Sequence, residues 1–117
     1  MNLAAIADIL GLENLTPEID LNAAPEVSSG YASDLLSDVL AHAPHGGVLV
    51  TVQVQLNVID VSVHAELAGV IFALGRRPDD VTRKKAVEEG VCLLMSEAPA
   101  FEIVGKLYEL GLRGVKT

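Results

Sequence analysis

At 117 residues the chain has the length of one domain and can bury roughly two thirds of the surface its unfolded form exposes. Half of the residues are apolar, yet only two Phe and two Tyr are aromatic and Trp is absent, so the core must be aliphatic, as in helices layered on a sheet. The net charge is −8 and all eight Lys and Arg lie at or after Arg76, so nucleic-acid phosphate is repelled by the first part and bases find few rings to stack on.

An acidic part beside a mildly basic one suits complementarity within the fold or across a dimer. No charged leader with a cleavage site opens the sequence, and no run of about 20 apolar residues could span a bilayer, so a cytoplasmic protein without membrane contact is expected. The single Cys92, in "VCLLM", cannot form an internal disulfide and reads as a small buried apolar residue.

In chain order, "NLAAIADILGL" spaces Leu3, Ile6, Ile9 and Leu10 as a helix stripe that Gly11 can end. The acidic segment from Glu13 to Pro25 holds a short strand and a connection. In "PEVSSGYASDLLSDVL", Ser28, Ser29 and Gly30 shape a turn, Ser33 is a good cap, and Asp34 and Asp38 face solvent, a partner or a cation. A short helix then carries Leu35, Leu36, Val39 and Leu40 on one side and ends near Pro44. "GVLVTVQVQL" alternates as a strand, with Val48, Val50, Val52 and Val54 on one face. Taken alone, "NVIDVSVHAEL" also alternates as a strand. "GVIFALG" and "VCLLM" have the length and composition of buried strands. Between them "PDDVTRKKAVEEG" is a helix, with Asp79 and Asp80 at the positive end of its dipole and Gly90 at its finish. "APAFEIVGKLYELGL" closes the chain as a helix whose stripe is Phe101, Val104, Leu107 and Tyr108. The second half therefore alternates strand and helix at intervals that suit crossovers between parallel strands.

The order of segments "SGYASDLLSDVLAHAPHGGVLVTVQ", Asn57, "GVIFALGRRPDD", "AVEEGVCLLMSEAPAFE" and "GKLYELGL" resembles the DRTGG domain family, which is similar to the N-terminal domain of HPr kinase/phosphorylase. The resemblance runs from Leu3 to Leu112, essentially the whole chain, and implies a stand-alone single-domain member spanning Met1 to Thr117. The motif that names the family falls on Glu26, Val27, Ser28, Ser29 and Gly30, where the glycine matches outright and Val27 replaces the arginine. The resemblance implies an α/β domain with a mainly parallel sheet of about four to five strands flanked by helices. It also implies that "NVIDVSVHAEL" is a crossover helix. Such domains occur alone, beside CBS-domain pairs and within phosphate acetyltransferases, which implies a regulatory or ligand-sensing module. The kinase activity belongs to a separate domain with a phosphate-binding loop, and no G-x-x-x-x-G-K-[ST] run is present here.

Ligands of open parallel sheets sit beyond the carboxyl ends of the strands, here the loops "TVQVQLN", "LGRRPDD" and "MSEAPAF". They gather Thr51, Gln53, Asn57, Gly75, Arg76, Arg77, Asp79, Ser96 and Glu97 as candidate ligand-binding residues. Arg76 and Arg77 precede a helix N-terminus, so a phosphate or carboxylate would find charge and backbone donors together. His42 and His45 are three apart, but Pro44 and Gly46 put the second in a loop and no third ligand joins them, so no metal is expected. His64 lies on an acidic polar face with Asp60 and Glu66. No nucleophile motif such as G-x-S-x-G is present, and no cofactor is expected. The sequence thus points to a non-enzymatic module that binds a small anionic ligand, such as a nucleotide, as a homodimer. The alternative is a protein interaction module or accessory subunit without a small ligand.

Overall fold

The computed structural model describes residues 1–115. Its elements are α1 (Leu3–Leu10), β1 (Glu13–Asn14), a short 3-10 turn (Leu21–Ala23), β2 (Gly30–Ala32), α2 (Leu36–His42), β3 (Val48–Thr51), α3 (Asn57–His64), β4 (Gly69–Phe72), α4 (Asp80–Glu89), β5 (Cys92–Met95) and α5 (Ala100–Glu109). The five-stranded sheet has the order β1-β5-β4-β3-β2, with β1 antiparallel to β5 and every other pair parallel. The mainly parallel α/β sheet implied by the resemblance is therefore present.

From β2 to β5 the chain steps one strand at a time in one direction. Crossovers of one hand must then all lie on one face. Val39 of α2, Val58 and Ile59 of α3 and Ala86 of α4 accordingly pack on Leu49, Val70, Phe72 and Leu93. The alternate residues Val48, Val50, Ile71 and Leu94 point the other way, onto Leu3 and Ile6 of α1 and Ile103 and Leu107 of α5. Each of those four helix side chains is fully or almost fully buried and contributes roughly 1.5 to 3 kcal/mol of apolar burial, set against the entropy of ordering it. Gly69 opens β4 because a Cβ there would come within 3.0 Å of Leu3 Cδ1 and 3.2 Å of the Cys92 carbonyl. Its absence lets α1 lie close on the sheet.

Several elements differ from their sequence patterns. "NVIDVSVHAEL" forms helix α3, as the resemblance implied and the alternation did not, with Val58, Ile59 and Ser62 buried. Strand β3 ends at Thr51, so Val52 to Leu56 form a loop. Ser28 to Gly30 are not a turn but the extended entry to β2: the Ser29 carbonyl accepts from Val48 N–H on one side, while Gly30 N–H donates to the Arg113 carbonyl on the other. Helix α2 starts at Leu36, and Ser33 does not cap it; Ser33 Oγ accepts from Leu35 N–H in a local turn at 3.2 Å. On α5 it is Ile103 and Leu107 that reach the core, whereas Phe101 is 85 % and Tyr108 57 % exposed.

The uneven charge is balanced inside the fold. Arg77 pairs with Glu13, Arg83 with Glu18 and Lys85 with Asp60, so cations of the later part meet acids of the earlier part.

Candidate functional site

The carboxyl ends of β3, β4 and β5 lie side by side, as Thr51↔Phe72 and Phe72↔Met95 are paired in register. After β4 the chain leaves toward α4 on one face, and after β5 it leaves toward α5 on the other. Loops that part to opposite faces open a crevice between neighbouring strand ends, the usual seat of a ligand in such sheets.

Arg76 N–H donates to the Ala73 carbonyl at 3.1 Å, closing a tight turn whose two central residues are left-handed, Leu74 at φ 59° and Gly75 at φ 65°. Glycine adopts that conformation freely, but leucine is held there at a cost of about 1–2 kcal/mol. The turn is fixed from the β5 side by Leu74 N–H to the Ala98 carbonyl at 3.0 Å and Gly75 N–H to the Ser96 carbonyl at 2.8 Å. The Glu97 carboxylate lies over Gly75, and a Cβ at that position would stand 2.5 Å from Glu97 Oε2. Leu74, although apolar, is 58 % exposed at the tip.

The candidate residues are already engaged to different degrees. Arg77 makes two hydrogen bonds of 2.6 Å to the two oxygens of Glu13, which hold that carboxyl below its usual range and raise the guanidinium further. Asp79 caps α4 by accepting from Thr82 N–H at 2.8 Å, and that bond lowers its pKa. Ser96 Oγ accepts from Ala98 N–H at 3.1 Å. The Thr51 hydroxyl, itself buried, donates to Asp34 Oδ1 at 2.9 Å and accepts from Gln53 N–H at 3.1 Å. Among the described residues Arg76 makes no ion pair, and the side chains of Gln53 and Asn57 make no hydrogen bond within the protein. Among the described residues the Glu97 carboxylate over Gly75 also makes no hydrogen bond or ion pair, so Arg76, Gln53, Asn57 and Glu97 are the side chains of the set without a partner in the fold.

Asp34 and Asp38 do not simply face solvent. Asp34 reaches the end of β3, and Asp38 accepts from the Tyr31 hydroxyl at 2.7 Å and from His42 Nδ1 at 3.0 Å. The tyrosine bond is the main reason its carboxyl titrates low, and the same bond raises Tyr31. Cys92 is buried, which pushes its thiol up, in keeping with a structural residue. His45 Nδ1 lies 3.1 Å from Glu66, while His42 pairs with Asp38. Among the described residues no group of three or more His, Cys, Asp or Glu could hold a metal ion.

Two hollows lie elsewhere. One of about 280 Å3 sits at the amino ends of β4 and β5 beside Asp20, Glu66 and Cys92. The other, about 120 Å3, runs between β2 and α5 and is lined by Tyr31, Tyr108 and Arg113, which sequence reasoning passed over.

No family model matches the chain, and no curated protein matches it. The architecture is that of a small α/β domain with sequentially stepping parallel strands and one antiparallel edge. A solved structure similar to it is the CBS and DRTGG domains of the regulatory region of Clostridium perfringens pyrophosphatase, complexed with its activator diadenosine tetraphosphate. The TM-score is 0.69 at 12% identity, over 88% of this chain and 44% of that one. This chain has a DRTGG-like fold and spans under half the length of that neighbour. No helix among the described residues is long and apolar enough to cross a membrane.

Proposed function

We propose that the chain is a non-catalytic regulatory module that senses a small anionic ligand at the crevice between the carboxyl ends of β4 and β5. What supports it most is the turn at Leu74: a leucine held left-handed with its side chain in solvent, next to an arginine without an ion pair among the described residues. Strain of this kind gathers where a backbone is shaped for a contact rather than for packing. Arg76 would meet the anion, with Gln53 and Asn57 offering neutral hydrogen bonds from the adjoining strand end. Arg77 is occupied by Glu13 and would orient the loop instead. The likeness to a regulatory region solved with a nucleotide activator favours a nucleotide as the ligand class.

The test is a thermal-shift panel of nucleotides and small acids on the wild type and Arg76→Ala. A nucleotide is expected to raise the melting temperature of the wild type and not of the variant. A panel that moves neither protein, with no ligand retained in native mass spectrometry, overturns the assignment.

A second reading, a protein interaction module, is favoured by the exposed Leu35 and Leu40 at α2. Sedimentation of the wild type against Leu35→Ser/Leu40→Ser separates the two. Self-association lost in the double variant supports the interaction role.

A further inference from the structure

Helices α1 and α5 share one face of the sheet, and α5 lies on β2 and β3 with α1 beside it. Ile103 and Leu107 fill its inner side. The flank away from α1 overhangs edge strand β2 and carries Phe101, Val104 and Tyr108, spaced three and four residues apart and 85, 38 and 57 % exposed. The Arg113 guanidinium stacks on the Tyr108 ring at 3.8 Å and holds it in place. Beside this row, in the middle of the helix, stands Gly105. A Cβ there would meet nothing within 4 Å, so no contact inside the chain requires a glycine, the residue that weakens a helix interior more than any but proline. A missing side chain at the centre of an exposed apolar row lets a second helix come close.

We propose that α5 is the face through which two copies of this chain associate, packed antiparallel about a two-fold axis that passes beside Gly105. A closed pair needs a patch that complements itself, because where residue i meets j, j meets i. Turning α5 end over end about the point between Val104 and Gly105 achieves this for rings and for charges. Phe101 of each copy comes level with Tyr108 of the other, at the mouth of the hollow of about 120 Å3 between α5 and β2, and the two rings can pair. Glu102 of each comes within one residue of Lys106 of the other. Among the described residues neither makes an ion pair inside the chain. A parallel pairing would instead set Glu102 on Glu102 and Lys106 on Lys106. A contact made chiefly by ten residues of helix, about 15 Å long, falls below the roughly 800 Å2 per partner of a standard interface, so a dissociation constant of micromolar order is expected. The dimer needs no ligand at the turn at Leu74.

Sedimentation velocity from low to high micromolar concentration tests it on the wild type, Phe101→Ser, Gly105→Gln, Glu102→Lys, Lys106→Glu, the two charge reversals together, Leu35→Ser/Leu40→Ser and Arg76→Ala. The wild type is expected to dimerise. Phe101→Ser and Gly105→Gln should weaken association about tenfold or more. Gly105→Gln should at the same time raise the melting temperature of the dilute monomer, because glutamine is the better helix former. Each single reversal sets like charges together twice and should weaken association, while the double reversal restores it. Leu35→Ser/Leu40→Ser and Arg76→Ala should associate like the wild type. Every substituted position is exposed, and circular dichroism checks each fold. A wild type that stays monomeric throughout the range overturns the proposal. So does association that survives both Phe101→Ser and Gly105→Gln, or that is kept in these and lost in Leu35→Ser/Leu40→Ser, which places the interface at α2. A double reversal no better than the single ones overturns the antiparallel packing.

Discussion

Asp34 closes the open end of a strand that Thr51 finishes: its Oδ1 accepts the Thr51 hydroxyl at 2.9 Å and the following Val52 N–H at 2.8 Å. The aspartate of the loop before α2 thus satisfies donors at the carboxyl end of β3. Asp34→Ala would leave the buried Thr51 hydroxyl without its acceptor, at a cost of about 1–3 kcal/mol. Asp34→Asn keeps an oxygen in place and should lose much less. Urea denaturation of the two variants checks the order.

Gly75 is constrained twice, by its positive φ and by the Glu97 carboxylate over it. Gly75→Ala should therefore lower stability by more than the roughly 1 kcal/mol of the backbone effect alone. In Glu97→Ala the contact is gone, so Gly75→Ala made in that background should cost only the backbone part. A double-mutant cycle measured by thermal unfolding reads the difference. Additive effects would show that Glu97 moves aside freely.

Asp38 titrates below its ordinary value when folded, so its contribution is present above the unfolded pKa and is lost as pH falls through the folded one. Tyr31 titrates above the ordinary phenol range when folded, so its contribution is present below the unfolded pKa and is lost as pH rises through the folded one. Both follow from one hydrogen bond. Tyr31→Phe should raise the Asp38 pKa, seen in the carboxyl carbon shift by NMR, and should flatten the decline of the denaturation midpoint at both ends of the pH range.

Cys92 has a raised thiol pKa from burial and lies in a strand bonded on both sides. A thiol-specific reagent at neutral pH should leave the native protein unlabelled. Labelling should appear along the urea transition, with the same midpoint as the circular dichroism signal. Reaction in the absence of urea would show local opening of β5.

The sequence carried the buried strands and the capped helix α4 because their patterns have one explanation: five apolar residues in a row after a glycine, or Asp79 at a start and Gly90 at a finish. It could not decide α3. Ile59, Val61 and Val63 alternate, but the helix buries Val58, Ile59 and Ser62, and period two coincides with a helical face over so short a span. Strand β2 escaped because three residues containing a glycine carry no period at all. On α5 two apolar stripes compete, Ile103 with Leu107 and Phe101 with Tyr108, and only the packing of α1 and the sheet says which turns inward.

The candidate site was legible by position and not by partnership. The rule about strand ends gathers the candidates at one edge of the sheet, but pairing between Arg77 and Glu13 joins residues far apart in sequence, and no spacing announces it. The same holds for Arg113, which follows the closing helix in sequence and has its backbone beside β2.

The order of the sheet has a consequence for how the chain folds. Strands β2 to β5 can join one after another, each docking on a neighbour made just before it, with only a helix to close between them. Edge strand β1 has no such neighbour: Glu13 waits for Met95 and Asn14 for Leu94. The return of the first residues to the last strand is therefore the longest closure in the sheet, a contact that follows once β5 is in place. Substitutions in β1 should speed unfolding and leave the folding rate almost unchanged.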